Sequence, residues 1–141
     1  MEWTGGCLCG AVRFVAHGAP RFLGHCHCKM CQRASGSLFM TAVEFQNADV
    51  EWLQGERSFY ESSPGNWRSF CPTCGGSTTQ EYEDKTWLYV GSLDEPEKLP
   101  MNPPRNLDAA HIFVTRQIPW IHIEDDLPRH AELPPEGRLK F

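Results

Sequence analysis

Seven cysteines in three tight clusters constrain this chain more than any other feature: Cys7-Leu8-Cys9-Gly10, Cys26-His27-Cys28-Lys29-Met30-Cys31 and Cys71-Pro72-Thr73-Cys74-Gly75-Gly76. In an extended backbone, residues i and i+2 point to one face, so Cys7 and Cys9 can present two sulfurs together, as can Cys26 and Cys28. The C-x-x-C of Cys71 and Cys74, shaped by Pro72 and followed by two glycines free to take positive φ, makes a tight loop that joins two thiolates. A structural zinc takes four ligands in a tetrahedron, so this loop needs a second pair, which Cys7 and Cys9 can supply.

Cys26, Cys28 and Cys31 remain, an i, i+2 pair with a third sulfur one turn further on. Two closed cysteine-only sites would need eight sulfurs, and the chain has seven. Three protein ligands and an open fourth position are the usual mark of a catalytic zinc. Three thiolates weaken the ion as a water activator, while soft sulfur remains a good fourth ligand, so an external thiol is a sensible substrate. Three other readings stay open at this level. A histidine could close the second site as a structural one; alternation sends His27 to the face opposite Cys26 and Cys28, a face that His25 shares. Cys28/Cys31 or Cys71/Cys74 could be redox dithiols, although no βαβ pattern surrounds them. The domain could also be a non-catalytic, zinc-stabilised protein-binding module, offering a sheet edge or a proline-rich loop.

The chain of 141 residues fits one compact domain, with 40% hydrophobic and 22% charged residues. Its net charge of −5 and lack of clustered Lys and Arg remove the footprint of a nucleic-acid binder. No apolar run approaches the roughly 18 residues that span a bilayer, and Met1 to Gly6 has no charged-then-apolar leader pattern, which together predict a cytoplasmic protein. An odd cysteine count argues against a disulfide framework, and cytosolic thiols are reduced unless catalytic or metal-bound.

Short alternating runs at 11–15, 38–43, 86–90, 111–115 and 120–123 predict strands, and hence a mainly β fold. One short helix is predicted from Lys29 to Ala34, closed by Ser35-Gly36. Pro96, Pro100, Pro103 and Pro104 predict an extended loop from Asp94 to Arg105. Other polar candidates have plain structural alternatives. His111 suits proton transfer or a hydrogen bond within the sheet. Arg33 and Ser35 could orient a carboxylate or carbonyl, and Asp94 could position substrate or cap a turn. The five tryptophans read as core, with no ligand assigned to them.

The pattern resembles the glutathione-dependent formaldehyde-activating enzyme family, which includes centromere protein V-like domains. The likeness runs from Gly6-Cys7-Leu8-Cys9-Gly10 through Cys26-His27-Cys28-Lys29-Met30-Cys31-Gln32-Arg33-Ala34-Ser35-Gly36 to Phe70-Cys71-Pro72-Thr73-Cys74-Gly75. It continues in Gly91-Ser92-Leu93-Asp94, His111-Ile112 and Pro119-Trp120. The resemblance implies a zinc-bearing β-tent fold of small antiparallel sheets, with residues 1–125 as a single zinc-binding domain and 126–141 as a C-terminal extension or tail. It implies two zinc ions per chain: a structural one on Cys7, Cys9, Cys71 and Cys74, and a catalytic one on Cys26, Cys28 and Cys31. The implied activity is that of a carbon–sulfur lyase acting on the adduct of a small thiol, glutathione, and an aldehyde, formaldehyde.

Overall fold

The structure, a computed structural model, describes residues 1–102 and 105–134. Pro103 and Pro104 of the predicted loop, and residues 135–141 of the predicted tail, lie outside the described residues. Among the described residues, ten strands form two sheets. The smaller has the order β1-β2-β5, from Glu2–Gly6, Arg13–His17 and Val50–Gln54, and is antiparallel. The larger has the order β10-β3-β4-β9-β8-β7-β6. Its strands are β3 (Leu23–Cys26), β4 (Met40–Gln46), β6 (Ser58–Ser63), β7 (Asn66–Phe70), β8 (Ser77–Tyr82), β9 (Lys85–Tyr89) and β10 (Ala109–Ile112). All its neighbours pair antiparallel except β10 and β3, which run parallel.

Strand alternation gives the larger sheet two different faces. Leu23, Val43, Phe45, Leu88 and Ala109 point one way and pack on Trp3, Phe14 and Ala16 of the smaller sheet, forming the main core with Leu93, Leu99, Leu107 and Leu127. Cys26, Met40, Ala42, Trp87, Tyr89, Ala110 and Ile112 point the other way and form a second cluster with Cys31. Cys26 and Cys31 are therefore mounted on the face turned away from the main core, whereas Cys7 and Cys71 belong to a third, small cluster with Val12.

The helix α1 (Lys29–Ser35) forms where it was predicted, one residue longer. The Cys28 side chain caps its start by accepting from the Cys31 amide, and Gly36 ends it in the left-handed conformation at φ 67°. Two expectations need correction. Residues 120–123 form no strand: Pro119 offers no amide, Trp120 is 68% exposed, and the outer edge of β10 is taken instead by a bridge from His111 to Arg129. The stretch after Asp94 is not wholly extended, since Pro96–Lys98 make one 3-10 turn, which proline's fixed φ suits. Leu127 is buried in the main core, and the His111 amide donates to the Pro128 carbonyl, so residues 127–130 lie along β10.

Candidate functional site

The first and last cysteine pairs meet at the open end of the smaller sheet. Cys7 and Cys9 follow β1, and Gly10, at φ 79°, turns back so that its amide donates to the Cys7 carbonyl. Cys71 and Cys74 follow β7 in a matching loop, where the Gly75 amide donates to the Cys71 carbonyl. The four sulfurs lie within 4.8 Å of one another, with Cys7 to Cys9 at 3.7 Å and Cys9 to Cys71 at 3.8 Å. A tetrahedron with metal–sulfur arms of about 2.3 Å has edges of about 3.8 Å, so the spacing fits zinc. Backbone amides of Val12, Thr73 and Gly76 donate to the sulfurs of Cys7, Cys71 and Cys74, orienting thiolates as metal ligands are usually oriented. Gly76 makes room for the close approach: a Cβ there would lie 3.0 Å from the Leu8 nitrogen and 3.3 Å from the Cys74 sulfur, tight enough that the two loops would have to shift slightly apart. Burial raises the Cys7 pKa, but the Val12 amide and neighbouring sulfurs outweigh it and bring it to about 6.

Cys26 ends β3, Cys28 caps α1 and Cys31 lies in its first turn, so one strand end and one helix start bring three sulfurs within 4.8 Å. Among the described residues, no histidine or carboxylate joins them. Hydrogen bonds with Cys26 and Cys31 draw Cys28 down to about 2, while those with Cys28 and Cys31 push Cys26 far up. Three crowded thiols cannot all ionise unaided, and a divalent cation is the countercharge such a cluster fits. Beside Cys31 stands a residue that sequence reasoning missed. Arg68 on β7 is buried, and donates to Tyr89 Oη at 3.1 Å, Ser62 Oγ at 2.9 Å and Cys31 Sγ at 3.7 Å.

The sulfurs open on a cavity of about 420 Å³ whose walls include Met30, Met40, Ala42, Trp87 and Phe113, with Arg68, Asn66 and Gln80 along one side. Arg68 sits opposite Gln80 and Gln80 opposite Trp87 in adjoining strands, with Asn66 two residues before Arg68 on the same face of β7. Phe113 reaches the wall from a left-handed backbone, φ 54°, a conformation that costs a bulky residue about 1–3 kcal/mol and tends to occur at functional sites.

The histidines lie behind the cluster. His111, fully buried at the end of β10, holds Asp125 Oδ2 through Nε2 and His27 through Nδ1, both at 2.8 Å. With Asp125 as acceptor, His111 donates from Nε2 and accepts at Nδ1 from His27 Nε2. This leaves the buried His27 Nδ1 unpartnered. His25 stacks on His111 with centroids 4.7 Å apart and bonds Thr41 Oγ1 at 2.7 Å. Burial and the neighbouring His111 lower both His25 and His27 to about 4, keeping them neutral. Arg33 is exposed, Ser35 Oγ donates to the Cys31 carbonyl at 2.7 Å, and Asp94 is held by Arg13 and Thr4. Trp87 lines the cavity, whereas Trp67 and Trp120 are exposed.

Fold and site together define a class: small, mainly β proteins with one four-thiol and one three-thiol cluster able to hold metal ions. Within that class the chain belongs to the family of the glutathione-dependent formaldehyde-activating enzyme, whose family model matches residues 2–116. A Halomonas elongata protein, provisionally named a glutathione-dependent formaldehyde-activating enzyme, is 25% identical over 136 residues, covering 88% of this chain and 82% of its own. The crystal structure of a Rhodobacter sphaeroides protein shares the fold, with TM-score 0.54 and 19% identity, over 76% of this chain and 99% of that one. No helix among the described residues is long and apolar enough to cross a membrane.

Proposed function

We propose that the chain is a cytoplasmic, zinc-dependent carbon–sulfur lyase that forms and breaks the adduct of a small thiol and an aldehyde at Cys26, Cys28 and Cys31. The observation that carries this reading is three convergent sulfurs with no fourth protein ligand among the described residues, opening on a cavity. Cys7, Cys9, Cys71 and Cys74 would close a structural zinc site, giving two ions per chain and one zinc-binding unit over residues 1–125. Family membership and the name of the Halomonas relative suggest glutathione and formaldehyde as the pair.

In the addition direction the thiol sulfur bonds to the carbonyl carbon, the carbonyl π pair moves to oxygen, and the thiol's proton ends on that oxygen. The lyase direction reverses each change. Zinc on the three thiolates would supply a Lewis-acidic position at which a thiol ionises near neutral pH. Arg68 offsets the negative charge gathered around Cys31, and the amides of Asn66 and Gln80 are placed to hold an oxygen in the cavity. His111 acts through His27, fixing the chain between Cys26 and Cys28 rather than meeting substrate, since both its nitrogens are engaged. Exchange-broadened NMR signals of glutathione mixed with formaldehyde test the reading. Zinc-loaded protein should broaden them in proportion to its concentration, and Cys28→Ser should not. No broadening for any thiol–aldehyde pair would leave a zinc-stabilised binding module.

A further inference from the structure

The cavity beside the three cysteines is larger than formaldehyde needs and offers few partners to the charges of glutathione. Formaldehyde has no substituent to fill it. At about 420 Å³ it is nearly three times the roughly 150 Å³ apolar cavity that suffices for benzene. Glutathione carries two carboxylates and an ammonium, and burying such charges without partners is costly. Among the charged side chains of the described residues only Arg68 lines the cavity, and its guanidinium already donates to Tyr89, Ser62 and Cys31. Apart from the cysteines and the uncharged polar side chains of Ser63, Asn66 and Gln80, the walls are thioether, aromatic and aliphatic, with Met30, Met40, Trp87, Ile112, Phe113 and Leu133 the largest contributors. Methionine suits loosely specified apolar ligands, because its side chain is flexible and polarizable. Asn66 Oδ1, buried without a partner, is a polar handle beside these walls.

We infer that this enzyme's adduct carries an uncharged, apolar organic group of at least aromatic-ring size, and that this group occupies the cavity while its sulfur meets Cys26, Cys28 and Cys31. The inference rests on the reading of the cysteine cluster as the reacting site. The group can enter on the thiol or on the aldehyde, and the two sources share one chemistry.

Four methionines make the test direct, since Met30 and Met40 line the cavity whereas Met1 and Met101 do not. Zinc-loaded protein labelled with carbon-13 at the methionine methyls is titrated with benzyl mercaptan, phenylacetaldehyde, 2-mercaptoethanol and glutathione. Either or both of the first two should shift the Met30 and Met40 methyls, binding at least tenfold more tightly than 2-mercaptoethanol or glutathione, with Met1 and Met101 still. Exchange rates follow for benzyl mercaptan with formaldehyde and for 2-mercaptoethanol with phenylacetaldehyde, which separates the thiol source from the aldehyde source. Ala42→Leu and, independently, Gly24→Val narrow the cavity without altering a cysteine. Each should abolish the tighter binding of the two aromatic probes in the methyl titration. Equal affinity across the four probes, or tighter glutathione binding, overturns the inference even where turnover is observed. Methyl shifts without turnover of any pair would uphold the apolar site and reject the lyase reading instead.

Discussion

Single residues in this chain are set by their partners more than by their type. Asp94 reads in the sequence as a turn residue or a substrate contact; the structure commits it to Arg13, at 2.9 Å from one guanidinium nitrogen, and to Thr4 at 2.7 Å. Those contacts hold its carboxyl below the usual carboxylate range, chiefly through Arg13. A carboxyl depressed by folding stabilises the protein above its unfolded pKa, and that contribution disappears as pH falls through the folded value. Asp94→Asn should therefore flatten the fall of melting temperature below about pH 4. An unchanged slope would detach Asp94 from stability. His111 makes a sharper case, since its loss leaves the buried His27 Nε2 without its partner and removes one of Asp125's two contacts. His111→Phe should cost about 2–3 kcal/mol in denaturant unfolding. A change within 0.5 kcal/mol would mean that the Asp125–His111–His27 chain holds nothing in place.

At the scale of elements, much was legible because alternation and spacing are local. The helix at Lys29 could be read from Gly36 and the residues before it, and the strands around Val15, Val43 and Leu88 from their period of two. Residues 120–123 alternate equally well yet form no strand, because pairing depends on a free sheet edge that the local sequence cannot report. The cysteine groups were legible from count and spacing. Arg68 was not, because its significance comes from the register that sets β7 and β8 beside β9 and so puts it next to Cys31. The two cysteine loops also meet through a long-range contact at Gly76. Gly76→Ala should loosen metal at the four-cysteine cluster by about tenfold, measured by chelator competition, with Cys26, Cys28 and Cys31 unaffected. Equal chelator resistance would show that the loops can separate at no cost.

Across the whole molecule, the larger sheet divides the work between its faces. One face joins the smaller sheet in the main core, and the other carries Cys26, Cys31 and the cavity, so the cavity walls can vary without the core being rebuilt. The four-cysteine cluster ties the end of β1 to the end of β7, from different sheets, and its metal should stabilise the fold itself. Cys71→Ser should accordingly lower stability far more than Cys28→Ser, with thermal unfolding as the measure. The central claim is that one cluster is closed and the other open to an external thiol. Cobalt-substituted protein tests this most directly, because sulfur-to-cobalt charge-transfer absorption reports each added thiolate. The account predicts two cobalt ions per chain, a spectrum that changes when a small thiol is added, and loss of both the change and one ion in Cys28→Ser. Two cobalt ions whose spectra ignore every added thiol would contradict it.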